Sequence, residues 1–460
     1  MQAASLPPAL AGHDILARAK TGTGKTIAFC LPAIEVLCRI NPHPKAITVL
    51  AISPTRELAA QIAEEAKQLL HFHPYKVSTV LCRRDLTFLM WCQVQITVGG
   101  TNIKAERSRL AKDRCDMLVA TPGRLIDHLT AGMVNGMDLH QKMLSMRCLI
   151  LDEADQLLEM GFRKEIEKIL GLIPRERQTL LFSATIPEGI KQIAKLAMTQ
   201  AGGNYQYVDT IGEDAVNTLE HVPQWWHAVT MEQQLPAMLT IVREFAQVPN
   251  YKIIVFCVTA RQTQQSAEAF IAMGIPALQI HSRMSQSART KTSDKFRDGT
   301  NMIMFSSDVS ARGMDYPDVT FVLQVGVPSD RAQYIHRIGR TARAGKSGSG
   351  YLLLHDFETY FLNDVKDLPL RKAHLEIPLE AYETARYGLS KVDHKTSEQA
   401  YQAWLGYYNS QRRLRWSKPE LVQQANLYAQ VGLGLDYQPA LEKKTIGKMG
   451  LKGVPGLRFA

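Results

Sequence analysis

The 460-residue sequence predicts an α/β protein built on parallel sheets. Short apolar runs of strand length alternate with segments of helical apolar periodicity, which is typical of a parallel sheet covered by helices on both faces. Several of these runs end in a polar or small-residue motif, and the carboxyl ends of parallel strands are where open α/β sheets bind ligands. The length provides for two or three domains with cores of their own.

The predicted strands and the motifs that follow them organise the chain into two α/β units. In the first unit strands are predicted at 46–52, 117–120, 148–151 and 179–183. They are followed by Pro-Thr-Arg-Glu-Leu-Ala (54–59), Thr-Pro-Gly-Arg (121–124), Asp-Glu-Ala-Asp (152–155) and Ser-Ala-Thr (183–185). A second unit begins near residue 229, with strands predicted at 251–257 and 302–305.

Composition narrows the class of partner and the compartment. A formal net charge of +10 and a pI of about 9.1 favour a polyanionic partner. The 7 cysteines are scattered and never spaced C-x-x-C, which predicts reduced thiols in an intracellular protein and no zinc site. No apolar run approaches the length of a membrane span, so we expect no membrane association.

A phosphate-binding loop is predicted where the apolar run 13–18 leads through small residues into a helical pattern at 27–40. Ala-Lys-Thr-Gly-Thr-Gly-Lys-Thr (19–26) fits the phosphate-loop pattern except that Ala19 replaces a glycine. Backbone amides of such a loop bind a polyphosphate, Lys25 reaches its outer phosphates and the Thr26 hydroxyl reaches Mg²⁺. A ligand-free strand-to-helix turn is the alternative.

An acidic pair, Asp152 and Glu153, follows the buried-strand pattern of 148–151, where packing gives no reason for charge. One carboxylate can hold Mg²⁺ while the other orients and deprotonates an attacking water. A helix N-terminus whose acids suit the helix dipole is the alternative. The presence of Lys25 favours the catalytic interpretation.

A basic cluster lies at 336–343 in the second unit. Arg337, Arg340 and Arg343 recur at a spacing of three, which places them on one side of a helix. Planar guanidinium groups suit the charge that develops on a γ-phosphate. A salt-bridged surface is the alternative, but few acids stand nearby. Because this unit has no phosphate loop, we expect it to complete a site begun by the first.

Seven ordered motifs between residues 19 and 343 resemble those of the DEAD-box RNA helicases: the phosphate loop, the four strand-end motifs above, Ala-Arg-Gly-Met-Asp (311–315) and His-Arg-Ile-Gly-Arg-Thr-Ala-Arg (336–343). The resemblance implies two tandem RecA-like domains that close over ATP and single-stranded RNA. We predict RecA-like domains at 1–209 and 226–355, a linker at 210–225, and a mostly helical, basic C-terminal extension with a flexible tail at 356–460.

The resemblance implies a role for each matching residue of the ATP site. It assigns Glu153 as the general base, Asp152 as a Mg²⁺ ligand through water, and Arg340 and Arg343 as arginine fingers. The implied ATP contacts are Gln2, Thr21, Gly22, Thr23, Gly24, Lys25, Thr26 and Asp315, with Thr26 and Asp152 at Mg²⁺. The residues implied to couple hydrolysis to domain closure are Asp155, Ser183, Thr185 and His336.

The resemblance also implies an RNA interface in each domain. The implied contacts are Pro54, Thr55, Arg56, Gly99, Gly100, Thr121, Gly123 and Arg124 in the first domain and Gln286, Arg289, Ser307 and Asp308 in the second. Backbone amides, hydroxyls and arginines meet phosphates and 2′-hydroxyls, which carry no base information. We therefore expect binding to single-stranded or structured RNA without sequence preference. We also expect a monomer.

The C-terminal extension is basic and aromatic. Residues 386–460 hold 12 Lys and Arg against 5 Asp and Glu, a surplus of 7 within the chain's +10. Cations and rings are interleaved, as in single-stranded nucleic-acid surfaces, at Tyr401, Trp404, Tyr407, Tyr408, Arg412, Arg413, Arg415 and Trp416. Aromatic packing in the core of a helical module is the alternative. The glycine-broken segment 443–457 predicts a mobile tail.

The extension, with the sequence at 323–328, resembles the fungal mitochondrial DEAD-box subgroup, which acts as a general RNA chaperone in intron splicing. The resemblance implies RNA splicing and the mitochondrial matrix.

Two departures from the family pattern stand out. Gln2 takes the place of the family's adenine-reading glutamine, but the sequence begins there, so we expect an N-terminally truncated first domain that carries no transit peptide. An insertion is predicted at 81–97, because the family passes from a strand such as 77–80 almost directly to Gly99 and Gly100. It is a surface insertion or a translated short intron, and sequencing the mature transcript separates the two.

The sequence therefore predicts an ATP-dependent RNA helicase, with three alternatives. An RNA-binding scaffold with lost or weak ATP turnover conflicts with the intact Lys25, Glu153 and Arg343. A DNA translocase of the same superfamily conflicts with the Asp-Glu-Ala-Asp and Pro-Thr-Arg-Glu-Leu-Ala motifs. A nucleotide-sensing switch would need a dedicated surface for a protein partner, and the sequence indicates none.

Overall fold

The computed structural model describes residues 1–19, 23–40, 42–71, 93–133, 136, 138–198, 205–211, 221–308, 316–342 and 346–459. The chain divides into two compact units, Met1–Ala215 and Val216–Ala460. Each unit is built on a seven-stranded, all-parallel sheet of its own, and these sheets confirm the predicted α/β class with two RecA-like domains.

The first unit orders its strands β3-β4-β2-β5-β6-β1-β7. These strands are β1 Ile15–Arg18, β2 Val49–Ile52, β3 Val94–Thr97, β4 Met117–Ala120, β5 Cys148–Leu151, β6 Gln178–Ser183 and β7 Gln206–Asp209. The helices are α1 Gln2–Leu10, α2 Lys25–Ile40, α3 Arg56–His71, α4 Ile103–Lys112, α5 Pro122–Leu129, α6 Leu139–Met143, α7 Ala154–Glu159, α8 Arg163–Leu172 and α9 Glu188–Ala197. Strands β2, β4 and β5 are buried along their whole length, because helices cover both sheet faces.

The register of the first sheet gathers the motif-bearing strand ends at one edge. Ile52 pairs with Ala120 on one side and with Leu151 on the other. The residues that continue these strands, at 54, 121 and 152, therefore emerge from the same edge. This register is what positions the site.

The predicted insertion at 81–97 is wrong in its last residues. Val94–Thr97 is the edge strand β3, which pairs in parallel with Met117–Ala120 and leads directly into Gly99 and Gly100. Residues 81–92 of the predicted insertion, and the strand predicted at 77–80, lie outside the described residues.

The second unit repeats the architecture with the strand order β10-β11-β9-β12-β13-β8-β14. Its strands are β8 Gln224–Val229, β9 Lys252–Cys257, β10 Leu278–Ile280, β11 Met302–Ser306, β12 Phe321–Val325, β13 Ser349–His355 and β14 Leu370–Lys372. Its helices are α10 Gln234–Phe245, α11 Ala260–Ala272, α12 Gln286–Asp298, α13 Arg331–Ile338, α14 Leu379–Lys391, α15 His394–Ser410, α16 Lys418–Leu427 and α17 Lys443–Lys448. The 3₁₀ helices Asp356–Val365 and Arg412–Leu414 and the π-helix Tyr428–Gly432 complete it.

Residues 394–459 form a C-terminal helical module whose aromatic rings make a core of their own. Tyr401, Trp404 and Tyr408 are at most 5% exposed, and the Trp404 ring lies 4.3 Å from that of Tyr408 and 5.2 Å from that of Tyr428. Core packing, the alternative to an RNA-stacking surface, therefore holds for these rings. Arg413 lies over the ring of Tyr360.

The expectation of a flexible tail at 443–457 is wrong. Ile446 and Leu451 are 1% and 0% exposed and pack into the aromatic core of the module. The chain beyond them pairs again, since strand β16, Arg458–Phe459, lies parallel to β15, Ala440–Leu441. The glycines shape turns in a packed segment.

Among the described helices, none is long and apolar enough to cross a membrane.

Replacing Leu451 by Ala tests the packed tail. Because the side chain is fully buried among aromatic rings, we expect Leu451→Ala to lower the free energy of unfolding of the second unit by about 2–4 kcal/mol. Urea denaturation followed by tryptophan fluorescence measures the change, since Trp404 and Trp416 lie in this core. Lys452→Ala, at an exposed neighbour, is the matched control, and equal effects of the two variants would contradict the packing.

Candidate functional site

The phosphate loop begins where β1 ends beside β6. The amide of Ala19 donates to the Ser183 carbonyl at 2.9 Å, and helix α2 starts at Lys25. Gly24 adopts the left-handed conformation at φ +78°, and a Cβ there would lie 2.5 Å from Gln2 Nε2. The Gln2 amide donates to the Gly24 carbonyl at 3.4 Å. Gln2 therefore lies against the phosphate loop, while its adenine contact stays a prediction.

Lys25 and Glu153 form a buried ion pair. Lys25 Nζ lies 2.7 Å from Glu153 Oε1, and the two side chains are 7% and 2% exposed. The pair joins the first turn of α2 to the end of β5, two elements brought together by the sheet. Lys25, which the sequence predicts to bind phosphate, and Glu153, the predicted general base, are therefore in contact.

Neighbouring charges shift the pKa values of Lys25 and Asp152. Burial alone would lower the pKa of Lys25, but the carboxylates of Glu153 and Asp152 raise it above its ordinary value. Burial, with the neighbouring Glu153, raises the pKa of Asp152 to about 7 against the opposing effect of Lys25. Negative charge on these buried carboxyl groups is costly, and a bound cation would offset that cost.

Glu153 adopts a strained backbone conformation. Its φ of 49° and ψ of 52° lie in the left-handed region, which costs a non-glycine residue of the order of 1 kcal/mol. The Glu153 amide donates to Asp152 Oδ1 at 3.0 Å, and its carbonyl accepts the first helical bond of α7, from Leu157. The turn aims Glu153 at Lys25, which gives the strain a functional interpretation.

A hydrogen-bonded cluster joins Asp155 to the end of β6. The Asp155 amide donates to Ser183 Oγ at 3.1 Å, and Ser183 Oγ donates to the Thr185 carbonyl at 2.7 Å. Thr185 returns two bonds to Asp155 Oδ2, from its amide at 3.0 Å and its hydroxyl at 2.9 Å. Three of the four residues predicted to couple hydrolysis to closure therefore form one network, and the fourth, His336, lies in the second unit.

The donor chemistry of the first unit fits magnesium and a polyphosphate. Asp152 and Glu153 supply hard carboxylate oxygens, Thr26 follows Lys25 in the first turn of α2, and oxygen ligands are those Mg²⁺ prefers. The lysine supplies a cation at the same place. Thr21 and Gly22 lie outside the described residues, and the assignments of Thr23 and Thr26 stay predictions.

A second cluster of the first unit holds the predicted RNA contacts together. Its centre is Glu106 on α4, whose carboxylate accepts from Thr97 Oγ1 at 2.8 Å, Arg124 at 2.8 Å and His128 Nε2 at 2.9 Å, and also from Thr101 Oγ1. Arg124 further donates to the Thr101 hydroxyl and carbonyl. The carboxylate thus ties the strand end at 97 to the Thr-Pro-Gly-Arg motif.

Glu106 is held in the ionised state. Burial alone would raise the pKa of Glu106, but hydrogen bonds from His128, Thr101, Thr97 and Arg124 lower it to about 2. Since an ionised carboxylate only accepts, His128 Nε2 is the donor in their bond. Glu106, Thr101 and His128 were not predicted. Their signal in the sequence is proximity to two predicted motifs: Thr101 and Glu106 follow Gly99-Gly100, and His128 follows Arg124.

Other predicted RNA contacts of the first domain meet at the same edge. The Gly99 amide donates to Thr121 Oγ1 at 3.3 Å. The Arg56 guanidinium covers the glycine pair so closely that a Cβ on Gly100 would clash with it. Pro54, Thr55 and Gly123 stand at the ends of β2 and β4 beside them. The structure thus assembles these residues on one surface, and RNA binding by them stays a prediction.

In the second unit, a positive cluster surrounds the end of β10. Burial, followed by the charges of Arg261, Arg289 and Arg283, lowers the pKa of His281 to about 4. Gln286 and Arg289 lie in the first turn of α12, and the buried Arg289 belongs to this cluster. The Ser307 amide donates to the Ile280 carbonyl at 3.2 Å. The positive field suits a polyanion.

The expectation that few acids pair with the arginine cluster is wrong for Arg337. Its guanidinium is 1% exposed and lies 2.6 Å from Asp308 Oδ1, which also accepts from Gln333. Asp308 was predicted as an RNA contact, and the structure gives it this structural role as well. Arg340 is also buried, and Asp315 and Arg343 lie outside the described residues.

The chain matches two family models and several known relatives. Residues 1–193 match the family model of the DEAD/DEAH box helicase, and residues 234–345 match the helicase conserved C-terminal domain. The chain is 46% identical to DEAD-box ATP-dependent RNA helicase 26 of Oryza sativa subsp. japonica over 100% of its own length and 81% of the relative's. It is 44% identical to DEAD-box ATP-dependent RNA helicase 26 of Arabidopsis thaliana, again over 100% of this chain but 52% of the relative's.

Among solved structures, Mss116p bound to single-stranded RNA and AMP-PNP superposes with a TM-score of 0.81 at 28% identity, covering 99% of this chain and 89% of that one. The match extends through the C-terminal module. Together with a buried lysine–glutamate pair at the phosphate loop, these similarities show that the chain belongs to the DEAD-box ATP-dependent RNA helicases, a family of ATP-hydrolysing enzymes.

Proposed function

We propose that this chain hydrolyses ATP through Lys25, Asp152 and Glu153 and uses the cycle to unwind or remodel structured RNA. The observation that carries the proposal is the buried Lys25–Glu153 pair, which puts the phosphate cation in contact with the proposed general base. Membership of an ATP-dependent RNA helicase family supports the reaction.

The pair suggests how the base is kept inactive before nucleotide binds. A carboxylate bonded to a lysine at 2.7 Å is a poor proton acceptor, because protonating it would break a buried ion pair. Phosphate oxygens compete for Lys25 and release Glu153 to accept a proton from water. Mg²⁺, which we propose binds by Thr26 and Asp152, would neutralise phosphate charge. The strained Glu153 backbone keeps the carboxylate directed into the site.

We propose that RNA binds the Glu106-centred surface of the first unit and, in the second unit, the positive cluster near His281. Both surfaces carry the family's RNA contacts, and Mss116p, a structural neighbour, binds single-stranded RNA. Arg340 and Arg343 stay proposed arginine fingers, and Asp315, Ser307 and Asp308 stay proposed ligand contacts, on the family resemblance.

The finer proposal is that the chain acts as a monomer in the mitochondrial matrix. There it would take part in RNA splicing. The support for this proposal is the resemblance of residues 323–328 and of the C-terminal extension to the fungal mitochondrial DEAD-box subgroup. The plant relatives are more similar in sequence, and their names state RNA helicase activity alone. The scaffold alternative is not favoured, since the catalytic residues described are all in place.

Glu153→Gln tests the proposed base. We expect the variant to lose ATP hydrolysis by about 100-fold or more, because general-base catalysis contributes a factor of that order, while single-stranded RNA still binds. Steady-state hydrolysis with and without RNA measures the effect. Glu167→Gln on the exposed face of α8 is the control. Full RNA-stimulated turnover by Glu153→Gln would exclude Glu153 as the base.

Glu106→Gln tests the RNA surface. Because Glu106 fixes Arg124 and Thr101, we expect the RNA concentration for half-maximal stimulation to rise about fivefold to tenfold, with hydrolysis in the absence of RNA unchanged. Asp113→Asn, at the exposed C-cap of the same helix, makes the same change in net charge and is the control. Tighter RNA binding by both variants would mean that charge alone matters and that Glu106 positions nothing.

The compartment is tested on the native gene product. We expect the protein, tagged at its genomic locus, to co-fractionate with mitochondrial matrix markers and to remain protected from protease in intact organelles. Cytosolic and plastid markers serve as controls. Recovery with either of these instead would reject the mitochondrial proposal and leave the helicase activity untouched.

A further inference from the structure

The loop that follows β12 is hydrogen-bonded to a side chain of the C-terminal module on one side and to a side chain of the 3₁₀ helix Asp356–Val365 on the other. Tyr407, on helix α15, donates its hydroxyl to the Val327 carbonyl at 2.7 Å. On the other side, the Val327 amide donates to Glu358 Oε1 at 3.2 Å. Both backbone groups of this one loop residue are therefore bonded to side chains.

Glu358 is itself locked in place. It is fully buried in the 3₁₀ helix Asp356–Val365, where Oε2 accepts from the His355 amide at 2.8 Å. Tyr408, next to Tyr407 on α15, donates to Glu358 Oε1 at 2.6 Å. A buried carboxylate requires such donors, and breaking one leaves charge uncompensated. Burial, with the charge of Glu358, raises the pKa of Tyr408 well above its ordinary value, so that its hydroxyl remains a donor.

The backbone at this point has little freedom to move. Gly326, which precedes Val327, adopts φ +83°, and a Cβ there would lie 2.7 Å from Val258 Cγ1. Val327 is 4% exposed. Farther along the loop, Asp330 caps helix α13, and its Oδ1 accepts from the Gln333 amide at 2.8 Å.

Helix α13, Arg331–Ile338, carries the basic motif. His336 and Arg337 lie in its last turn, and Arg340 follows it with Nε donating to the His336 carbonyl at 3.4 Å. Since the helix starts four residues after Val327, the position of Val327 fixes where the helix begins. The module therefore acts on the motif through a short, constrained connection.

We propose that Tyr407, with Glu358 and Tyr408, is a positioning residue for RNA-stimulated ATP hydrolysis, holding Val327 so that helix α13 presents the basic motif correctly. This inference rests on the proposed function of that motif. It gives the C-terminal module a role in the catalytic cycle that does not require the module to touch RNA or nucleotide. The tyrosines that looked like an RNA-stacking surface in the sequence are, in this role, hydrogen-bond donors to the helicase core.

Tyr407→Phe removes one hydroxyl and tests the proposal in the full chain. We expect kcat for RNA-stimulated hydrolysis to fall about threefold to tenfold, the effect of losing one buried hydrogen bond from the reactive arrangement, with KM for ATP unchanged. Tyr401→Phe is the matched control, because the Tyr401 hydroxyl donates to Asn426 Oδ1 at 2.9 Å within the module and does not touch the loop. Equal kcat values for the two variants would overturn the proposal.

A second readout separates positioning from stability. Hydrogen exchange followed by mass spectrometry should show faster exchange across 326–333 in Tyr407→Phe than in Tyr401→Phe, at equal melting temperature. A loss of kcat that only follows a loss of folded protein would also overturn the proposal. If the wild-type chain shows no RNA-stimulated hydrolysis, the proposed function fails, whereas unchanged exchange across 326–333 rejects the positioning role by itself.

Discussion

The Lys25–Glu153 pair is the interaction on which the first unit depends. Two charges 2.7 Å apart, with side chains at most 7% exposed, gain attraction but lose hydration, so such a pair adds little net stability. The pair matters because it constrains how either charge can be released. Neither charge can leave without a replacement, because an unpaired buried charge is costly. In the proposed function a phosphate replaces Glu153 as the partner of the lysine, which links nucleotide binding to release of the carboxylate.

Parallel sheets explain why the site can be assembled at all. Each strand end delivers a motif to the same edge, and side-chain networks then connect neighbouring motifs: Asp155 with Ser183 and Thr185 in one place, Glu106 with Arg124 in another. The Asp155 carboxylate accepts from a backbone amide and a hydroxyl, and the Glu106 carboxylate accepts from hydroxyls as well as from Arg124, so both fix local geometry. A shift of one strand would therefore displace residues of several motifs together.

The fold class, the strand ends and the motifs that meet at Lys25 and Glu153 were predictable because each is encoded in a short, contiguous stretch. Glu106 was not predictable, because an acid on a polar helix has the pattern of a surface residue. Its partners lie up to 22 residues away in the sequence and contact it only in the folded structure. The Arg337–Asp308 pair was missed for the same reason, across 29 residues. The packed tail was missed because glycines suggested mobility, whereas the informative signal was a pair of apolar residues, Ile446 and Leu451, that the aromatic core covers.

The aromatic residues of the C-terminal module show how composition can indicate the wrong chemistry. Rings beside arginines are typical of single-stranded nucleic-acid surfaces, yet a ring on the inner face of a helix excludes water and can still donate a hydrogen bond. Tyr408 does both, packing against Trp404 while it bonds to Glu358. Without the module, Glu358 would lose a donor inside an apolar core, and the carboxylate that holds the Val327 amide would be destabilised. The helicase core of the second unit and its extension are therefore joined through a buried charge that both must satisfy.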